Sequence, residues 1–356
     1  MPKAPPPSPA RYGLAIASVL LAAAARWALH PLLGQRQPFA TFYIALIVSA
    51  WFGGLGPSLV ALALGAVSAL AFFTPWSGSP SANRAADLLG TALYVVVGSV
   101  LVAYSGGIDS TLLLKVAHDT LGDRALGVLS ASESIASDEV KDALAVAEGL
   151  GIPVRTTYTT ELADPNYASN PSNRCYFCKT ALFDELEAIA REQNIPYIVY
   201  GANMDDLGDH RPGAVAARER GVRAPLQQAD MHKDDIRAAA LALGVPNWNK
   251  PAMACLSSRV AYGTAIDAGV LNQVWSGERF LRDLGLTQLR VRHHGDTARI
   301  EVPLDSLPRL VVPETRAALV AHFKGLGYKF VSLDLEGFRS GSMNAALPVP
   351  IAVRRS

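Results

Sequence analysis

One segment constrains this chain more than any other: Val100–Tyr104, then Ser105-Gly106-Gly107-Ile108-Asp109-Ser110, then Thr111–Leu121. The short β-branched run predicts a strand. Leu113, Val116, Ala117 and Leu121 fall at helical spacing and predict a helix. Two adjacent glycines between them let the backbone approach a bound anion closely. The helix start adds free N–H groups and the positive end of a dipole. Ser105, Ser110 and Thr111 bring hydroxyl donors, so the loop is suited to phosphate. Asp109 would repel phosphate directly, which favours a magnesium-linked or loop-orienting role. The loop lacks the Gly-Lys-Ser/Thr ending of the Walker pattern.

The hexapeptide after an apolar strand resembles the SGGxDS loop of the PP-loop ATP pyrophosphatases. That resemblance implies cleavage of ATP to AMP and pyrophosphate, with adenylation of a carbonyl or carboxyl oxygen. Downstream the sequence alternates strand and helix: Ala125–Ser130, Ser137–Leu150, Val154–Thr159, Thr180–Glu192 and Tyr197–Tyr200. This alternation predicts an α/β fold with a doubly wound parallel sheet. Ser137 is placed to cap its helix, with Asp138 and Glu139 in the first turn. Ligands of such sheets sit at the carboxyl ends of strands. Ser130–Ser132 and Gly201-Ala202-Asn203 lie at two such ends and could hold the adenosine.

The first hundred residues differ in kind. They hold five basic residues and one acid, leaving 27 basic and 30 acidic residues in the other 256. Apolar runs cover Tyr12–Leu33, Phe39–Phe52 and Pro57–Phe73, and a fourth starts near Ala85. Trp27, Trp51 and Trp76 lie near run ends, as interfacial anchors do. The expectation is a membrane-spanning helical segment over residues 1–97, with a cytoplasmic catalytic part anchored to the cytoplasmic membrane. Ala50-Trp51-Phe52-Gly53-Gly54-Leu55-Gly56-Pro57-Ser58-Leu59 resembles the four-helix membrane domain of potassium-responsive sensor histidine kinases. There is a conflict at the junction. If Val100–Tyr104 is a strand, a fourth helix has only residues 85–98, ~21 Å against the ~30 Å of a hydrocarbon core.

The three cysteines, Cys175, Cys178 and Cys255, all lie in the second part. An odd number argues against a disulfide framework. Their spacing suits a soft metal. A 4Fe-4S cluster on three thiolates leaves one iron open. Zinc would want a fourth ligand, for which His210 and His232 are candidates. Unligated or redox-active thiols are the third reading.

Longer stretches carry a closer resemblance. They include Asn170-Pro171-Ser172-Asn173-Arg174-Cys175-Tyr176-Phe177-Cys178-Lys179, Asp205-Asp206-Leu207-Gly208-Asp209-His210-Arg211-Pro212-Gly213, Asn247-Trp248-Asn249-Lys250-Pro251, Arg290-Val291-Arg292-His293-His294 and Asp334-Leu335-Glu336-Gly337-Phe338-Arg339. From Gly98 to Asn344 the chain resembles the LarE family of ATP-dependent sulfur transferases, which act in nickel-pincer nucleotide biosynthesis. The resemblance implies a pyridinium mononucleotide substrate, ATP, Mg2+ and an external sulfide donor. It implies ATP binding by Ser105, Gly106, Gly107, Asp109, Ser110, Thr111, Ser130 and Gly201, and a substrate-phosphate site at Arg259, Arg290 and Arg292. Asp109, Ser258 and Glu278 match catalytic positions. The sacrificial cysteine of one branch falls at Ala254 here, so the three-cysteine, 4Fe-4S branch is the closer match.

The expected layout is a PP-loop domain over 98–258, a smaller α+β substrate domain over 259–344 and a tail over 345–356. A homo-oligomer is expected. A PP-loop tRNA thiolase is the competing reading. The slight acidity of the second part disfavours it and nucleic acid binding generally.

Overall fold

The computed structural model describes residues 9–28, 41–53, 55–73, 99–208, 212–251, 254–339 and 342–343. The strand into the glycine loop forms as expected: β1 is Val100–Tyr104, and α4 follows at Ile108–Leu121. With β2 (Ala125–Ala131), β3 (Val154–Tyr158) and β4 (Tyr197–Tyr200), β1 forms a parallel sheet ordered β3-β2-β1-β4. The switch in direction of strand order falls between β1 and β4, where doubly wound sheets place ligands.

Both faces of the sheet are covered, which explains why β1 is apolar at nearly every position. Val100, Val102 and Tyr104 pack with α4, α5 (Ser137–Gly149) and α8 (Lys233–Ala242). Leu101 faces the other way, onto α6 (Arg174–Glu192) and α7 (Pro212–Glu219) through Phe183, Leu186, Ala216 and Ala217. Two boundaries differ from the sequence expectation. Helix α6 starts at Arg174 rather than Thr180, so Cys175 and Cys178 lie in its first turns. Ala136, not Ser137, is the N-cap of α5, and among the described residues no side chain caps that end.

A second sheet is ordered β5-β6-β7, from Arg290–His294, Thr297–Glu301 and Phe330–Leu333. Helices α9 (Ala268–Asp283) and α10 (Pro313–Gly325) supply Leu281, Leu319 and Phe323 to its core of Val291, Ala298 and Ile300. In chain order these elements run helix, strand, strand, helix, strand.

In the N-terminal part, α1 (Pro9–Ala28), α2 (Phe42–Gly53) and α3 (Leu55–Phe73) pack on one another. Ser18 Oγ lies 3.1 Å from Ser49 Oγ across α1 and α2. Among the described residues no helix is long and apolar enough to cross a membrane. That corrects the spanning expectation. Helix α2 has 12 residues, reaching only ~18 Å, and α1 carries Arg11 and Arg26 within its length. The fourth apolar run and its approach to Gly98 lie outside the described residues. Val100–Tyr104 are strand, so they are not part of a fourth helix.

Candidate functional site

The glycine loop is held by its own hydrogen bonds. Ser110 Oγ donates to Gly107 O at 3.0 Å and accepts from Ser105 N at 3.1 Å. Thr111 Oγ1 donates to Gly107 O at 2.8 Å. The hydroxyls expected to face phosphate thus first shape the loop. Gly106 has φ +71°, and a Cβ there would stand 2.4 Å from Ala143 Cβ on α5. Gly201, at the end of β4, packs so closely that a Cβ would lie 2.8 Å from Ser110 N. Its place is therefore behind the loop as a support. Ser130 bonds to Thr159 at 3.0 Å between the ends of β2 and β3.

Asp109 is paired. Lys233 Nζ reaches its two oxygens at 2.6 and 2.8 Å, and Asn203 Nδ2 donates to Oδ1 at 3.3 Å. Lys233 is the first residue of α8, whose N-cap His232 bonds through Nδ1 to Asp205 at 3.0 Å. Asn247 Nδ2 donates to Gly106 O at 2.9 Å and to Thr111 Oγ1 at 3.2 Å. Sequence reading missed Lys233 and gave Asn247 no role. The only signal for Lys233 was its position at a helix start, which fixes no distance to a loop 124 residues earlier. His232 Nδ1 is bonded to Asp205, and among the described residues His232 is not drawn into a metal-binding group with the cysteines. His210 lies outside the described residues.

The cysteines come from two tethered segments. Cys175 and Cys178 stand on α6, and Cys255 precedes a helical turn, Leu256–Arg259. Asn170, fully buried with φ +55°, joins them. Its Nδ2 donates to Ala261 O at 2.8 Å, and its Oδ1 accepts from Arg174 Nη1 at 2.8 Å. Tyr167 Oη bonds to Ser257 Oγ at 2.6 Å. Burial pushes the Cys178 thiol up to about 12, and the charges of Cys255, Glu161 and Cys175 add to the shift, opposed by Lys179. The same surroundings raise Tyr167, through burial and then Cys255. The thiols are thus neighbours. Among the described residues, however, no three His, Cys, Asp or Glu side chains are drawn into a metal-binding group.

The segment of Cys255 is wired to both halves of the site. Leu256 N donates to Ser134 O at 2.8 Å in the loop after β2. On the other side Arg259 Nη1 donates to Cys255 O at 2.8 Å and to Ser258 Oγ at 3.1 Å. Arg259 is almost fully buried and forks onto Glu278, itself fully buried, at 2.9 and 3.2 Å. Arg292 contacts Glu301 at 2.8 and 3.0 Å and Ser258 O at 3.2 Å. Glu301 is buried and also bound by Arg299 and Ser342.

The three arginines therefore differ. Arg259 and Arg292 have carboxylate partners. Among the described residues Arg290 has none; it donates to Leu289 O at 2.7 Å, and its guanidinium lies 5.2 Å from the centroid of Phe338. Burial lowers its pKa to about 10, with the charges of Arg259, Arg292 and Arg282 adding to the effect against Glu278. This is an electropositive spot that an anion would relieve.

Comparison with known proteins adds the following. Residues 12–111 match a domain of unknown function, DUF4118, and residues 92–174 match the NAD synthase family. The two matches overlap over the strand and glycine loop. The chain is 45% identical over 247 residues to the uncharacterized protein slr1717 of Synechocystis, covering 69% of this chain and 92% of that one. It is 41% identical over 249 residues to the pyridinium-3,5-bisthiocarboxylic acid mononucleotide synthase of Lactiplantibacillus plantarum, covering 70% and 90%. A more distant likeness, 28% over 196 residues, is to the glutamine-hydrolyzing GMP synthase of Aeropyrum pernix, covering 49% and 38%.

Proposed function

The chain belongs to the LarE family, and we infer from this that it is an ATP-dependent sulfurtransferase making pyridinium-3,5-bisthiocarboxylic acid mononucleotide. A ring carboxylate oxygen attacks the α-phosphorus of ATP, and pyrophosphate leaves from the glycine loop. Hydrosulfide then adds to the acyl carbon and AMP departs with the carboxyl oxygen, leaving a thiocarboxylate. A second round converts the second carboxylate. The observation that carries the reading is the Cys255 segment, hydrogen-bonded to the nucleotide sheet at Ser134 and to the arginine cluster at Arg259.

Each residue has a task in this scheme. Loop N–H groups and the start of α4 receive the pyrophosphate. Lys233 holds Asp109 and supplies positive charge beside the phosphates. Mg2+ fits this corner, because Asp109 is a hard oxygen donor; bound there, it would offset phosphate charge. Arg290 takes the substrate phosphate. Arg259 and Arg292, fixed by Glu278 and Glu301, shape that site and hold Ser258.

The donor set also fits a 4Fe-4S cluster: three soft sulfur donors on two segments tied together by Asn170. Cys175, Cys178 and Cys255 would hold it, and it would supply a site for sulfide. Purification without oxygen, followed by iron and labile-sulfide assay and mass measurement of each cysteine, tests this. Stoichiometric iron with intact cysteines supports it. Loss of one cysteine sulfur without iron defeats it.

The N-terminal helices add a second element. Leu20, Leu21, Trp27, Ile44, Ile47, Trp51 and Phe52 are all exposed, an apolar surface of the kind that marks interaction with lipid or protein. We take it as a lipid-facing surface that holds the catalytic part near a membrane. Recovery of the full chain in the soluble fraction after cell lysis defeats that reading.

A further inference from the structure

We propose that Phe338 is a positioning residue of the phosphate site: its ring holds the Arg290 guanidinium without neutralising it. This rests on the substrate reading above. Arg290 needs such a holder, because Arg259, Arg292 and Arg282 stand near enough to repel it. The carboxylates of the cluster are engaged elsewhere. Glu278 accepts from Arg259, Arg282 and Val291 N, and Glu301 accepts from Arg292, Arg299 and Ser342. Among the described residues the one hydrogen bond of the Arg290 side chain runs from Nη1 to Leu289 O at 2.7 Å. Most of its N–H donors stay open, and Arg290 is only half-buried, so an anion can reach them.

An aromatic ring suits this task better than a carboxylate. A carboxylate would take the N–H edge of the guanidinium and cancel its charge. The negative face of a ring attracts the cation yet leaves the edge donors and the charge for a phosphate. The Phe338 centroid lies 5.2 Å from the Arg290 guanidinium carbon, within the ~6 Å reach of a cation–π contact.

The backbone fixes the ring there. After β7, Asp334 N donates to Ile300 O at 2.9 Å, and Gly337 N closes a turn onto Asp334 O at 3.1 Å. Gly337 has φ +73°, and a Cβ there would stand 3.0 Å from Val302 O. Phe338 N then donates to that same oxygen at 2.9 Å. Phe338 does not belong to the apolar core of the second sheet. Its ring serves Arg290 rather than that core.

The test uses the full chain with pyridinium-3,5-biscarboxylic acid mononucleotide, in calorimetric titration and steady-state turnover. Phe338→Leu keeps apolar bulk and removes the ring face. It should weaken nucleotide binding and raise its KM about fivefold, with kcat and ATP affinity unchanged. Phe338→Tyr should keep wild-type values. Phe338→Glu should bind the nucleotide more weakly than Phe338→Leu, because its carboxylate would hold Arg290 and neutralise it. In an Arg290→Ala chain, Phe338→Leu should cause no further loss in kcat/KM. An undiminished loss in that background, wild-type affinity in Phe338→Leu, or a Phe338→Tyr chain as weak as Phe338→Leu would overturn the positioning role and leave the substrate reading standing. Failure of wild-type protein to bind the nucleotide would overturn both.

Discussion

Glu278→Gln separates a positioning role from a chemical one. Glu278 is fully buried and accepts from Arg259 Nε at 2.9 Å, Arg259 Nη2 at 3.2 Å, Arg282 Nη2 at 3.0 Å and Val291 N at 3.3 Å. The amide keeps the shape but removes the charge, leaving the buried Arg259 guanidinium without its counter-ion. Breaking a buried pair from one side costs about 3–5 kcal/mol. Arg259 keeps Cys255 O and Ser258 Oγ, so the low end, about 3 kcal/mol, applies. For a unit of this size that is a fall in Tm of roughly 6–12 °C. Thermal unfolding by circular dichroism measures it, beside steady-state kinetics. The expected result is a clear fall in Tm with a rise in KM for the pyridinium nucleotide. An unchanged Tm with abolished kcat would refute the positioning argument and make Glu278 a catalytic group.

Gly106→Ala puts a methyl group against Ala143 at positive φ, and calorimetry should show ATP binding weakened at least about tenfold, the equivalent of roughly 1.4 kcal/mol. Lys233→Met leaves Asp109 uncompensated beside the phosphates. A lost charge-assisted bond of about 1.5–3 kcal/mol corresponds to a KM for ATP raised roughly 10- to 100-fold, with KM for the pyridinium nucleotide unchanged. Arg290→Ala should do the reverse, raising KM for the nucleotide and not for ATP. In metal-free protein, iodoacetamide should modify exposed Cys175 before Cys178. A thiol near 12 is thiolate at pH 8 in only about one part in ten thousand. Because burial raises that pKa, the fold favours the protonated form, so this stabilising contribution is lost as pH rises from about 9 toward 12. Mapping by mass spectrometry gives the order of labelling, and equal rates would contradict the burial.

The nucleotide half was readable because local rules and tertiary structure agree there. Val100–Tyr104, the glycine pair and the α4 spacing each point to the same strand, loop and helix, and β1 pairs on both sides as its apolar sequence requires. The start of α6 was less readable. Asn170-Pro171-Ser172-Asn173 reads as a loop, but the helix begins at once and takes both cysteines with it. Long-range pairings were not legible at all. Lys233 with Asp109, Asn247 with Gly106 and Leu256 with Ser134 join residues more than a hundred positions apart. Nor does sequence distinguish Arg290 from Arg259 and Arg292, since the difference lies in which of them meets a buried carboxylate. The N-terminal hydropathy reads as spanning because a count of apolar residues passes over the charges among them. Helix α1 carries Arg11 and Arg26 within its 20 residues.

The most direct test of the central claim is anaerobic turnover with pyridinium-3,5-biscarboxylic acid mononucleotide, ATP, Mg2+ and sulfide, with pyrophosphate, AMP and product measured together. The account predicts pyrophosphate release that depends on the pyridinium nucleotide, one AMP per sulfur introduced, and a product whose mass rises by the exchange of oxygen for sulfur. Pyrophosphate release indifferent to that nucleotide, or turnover that leaves its carboxylates unchanged, would contradict it.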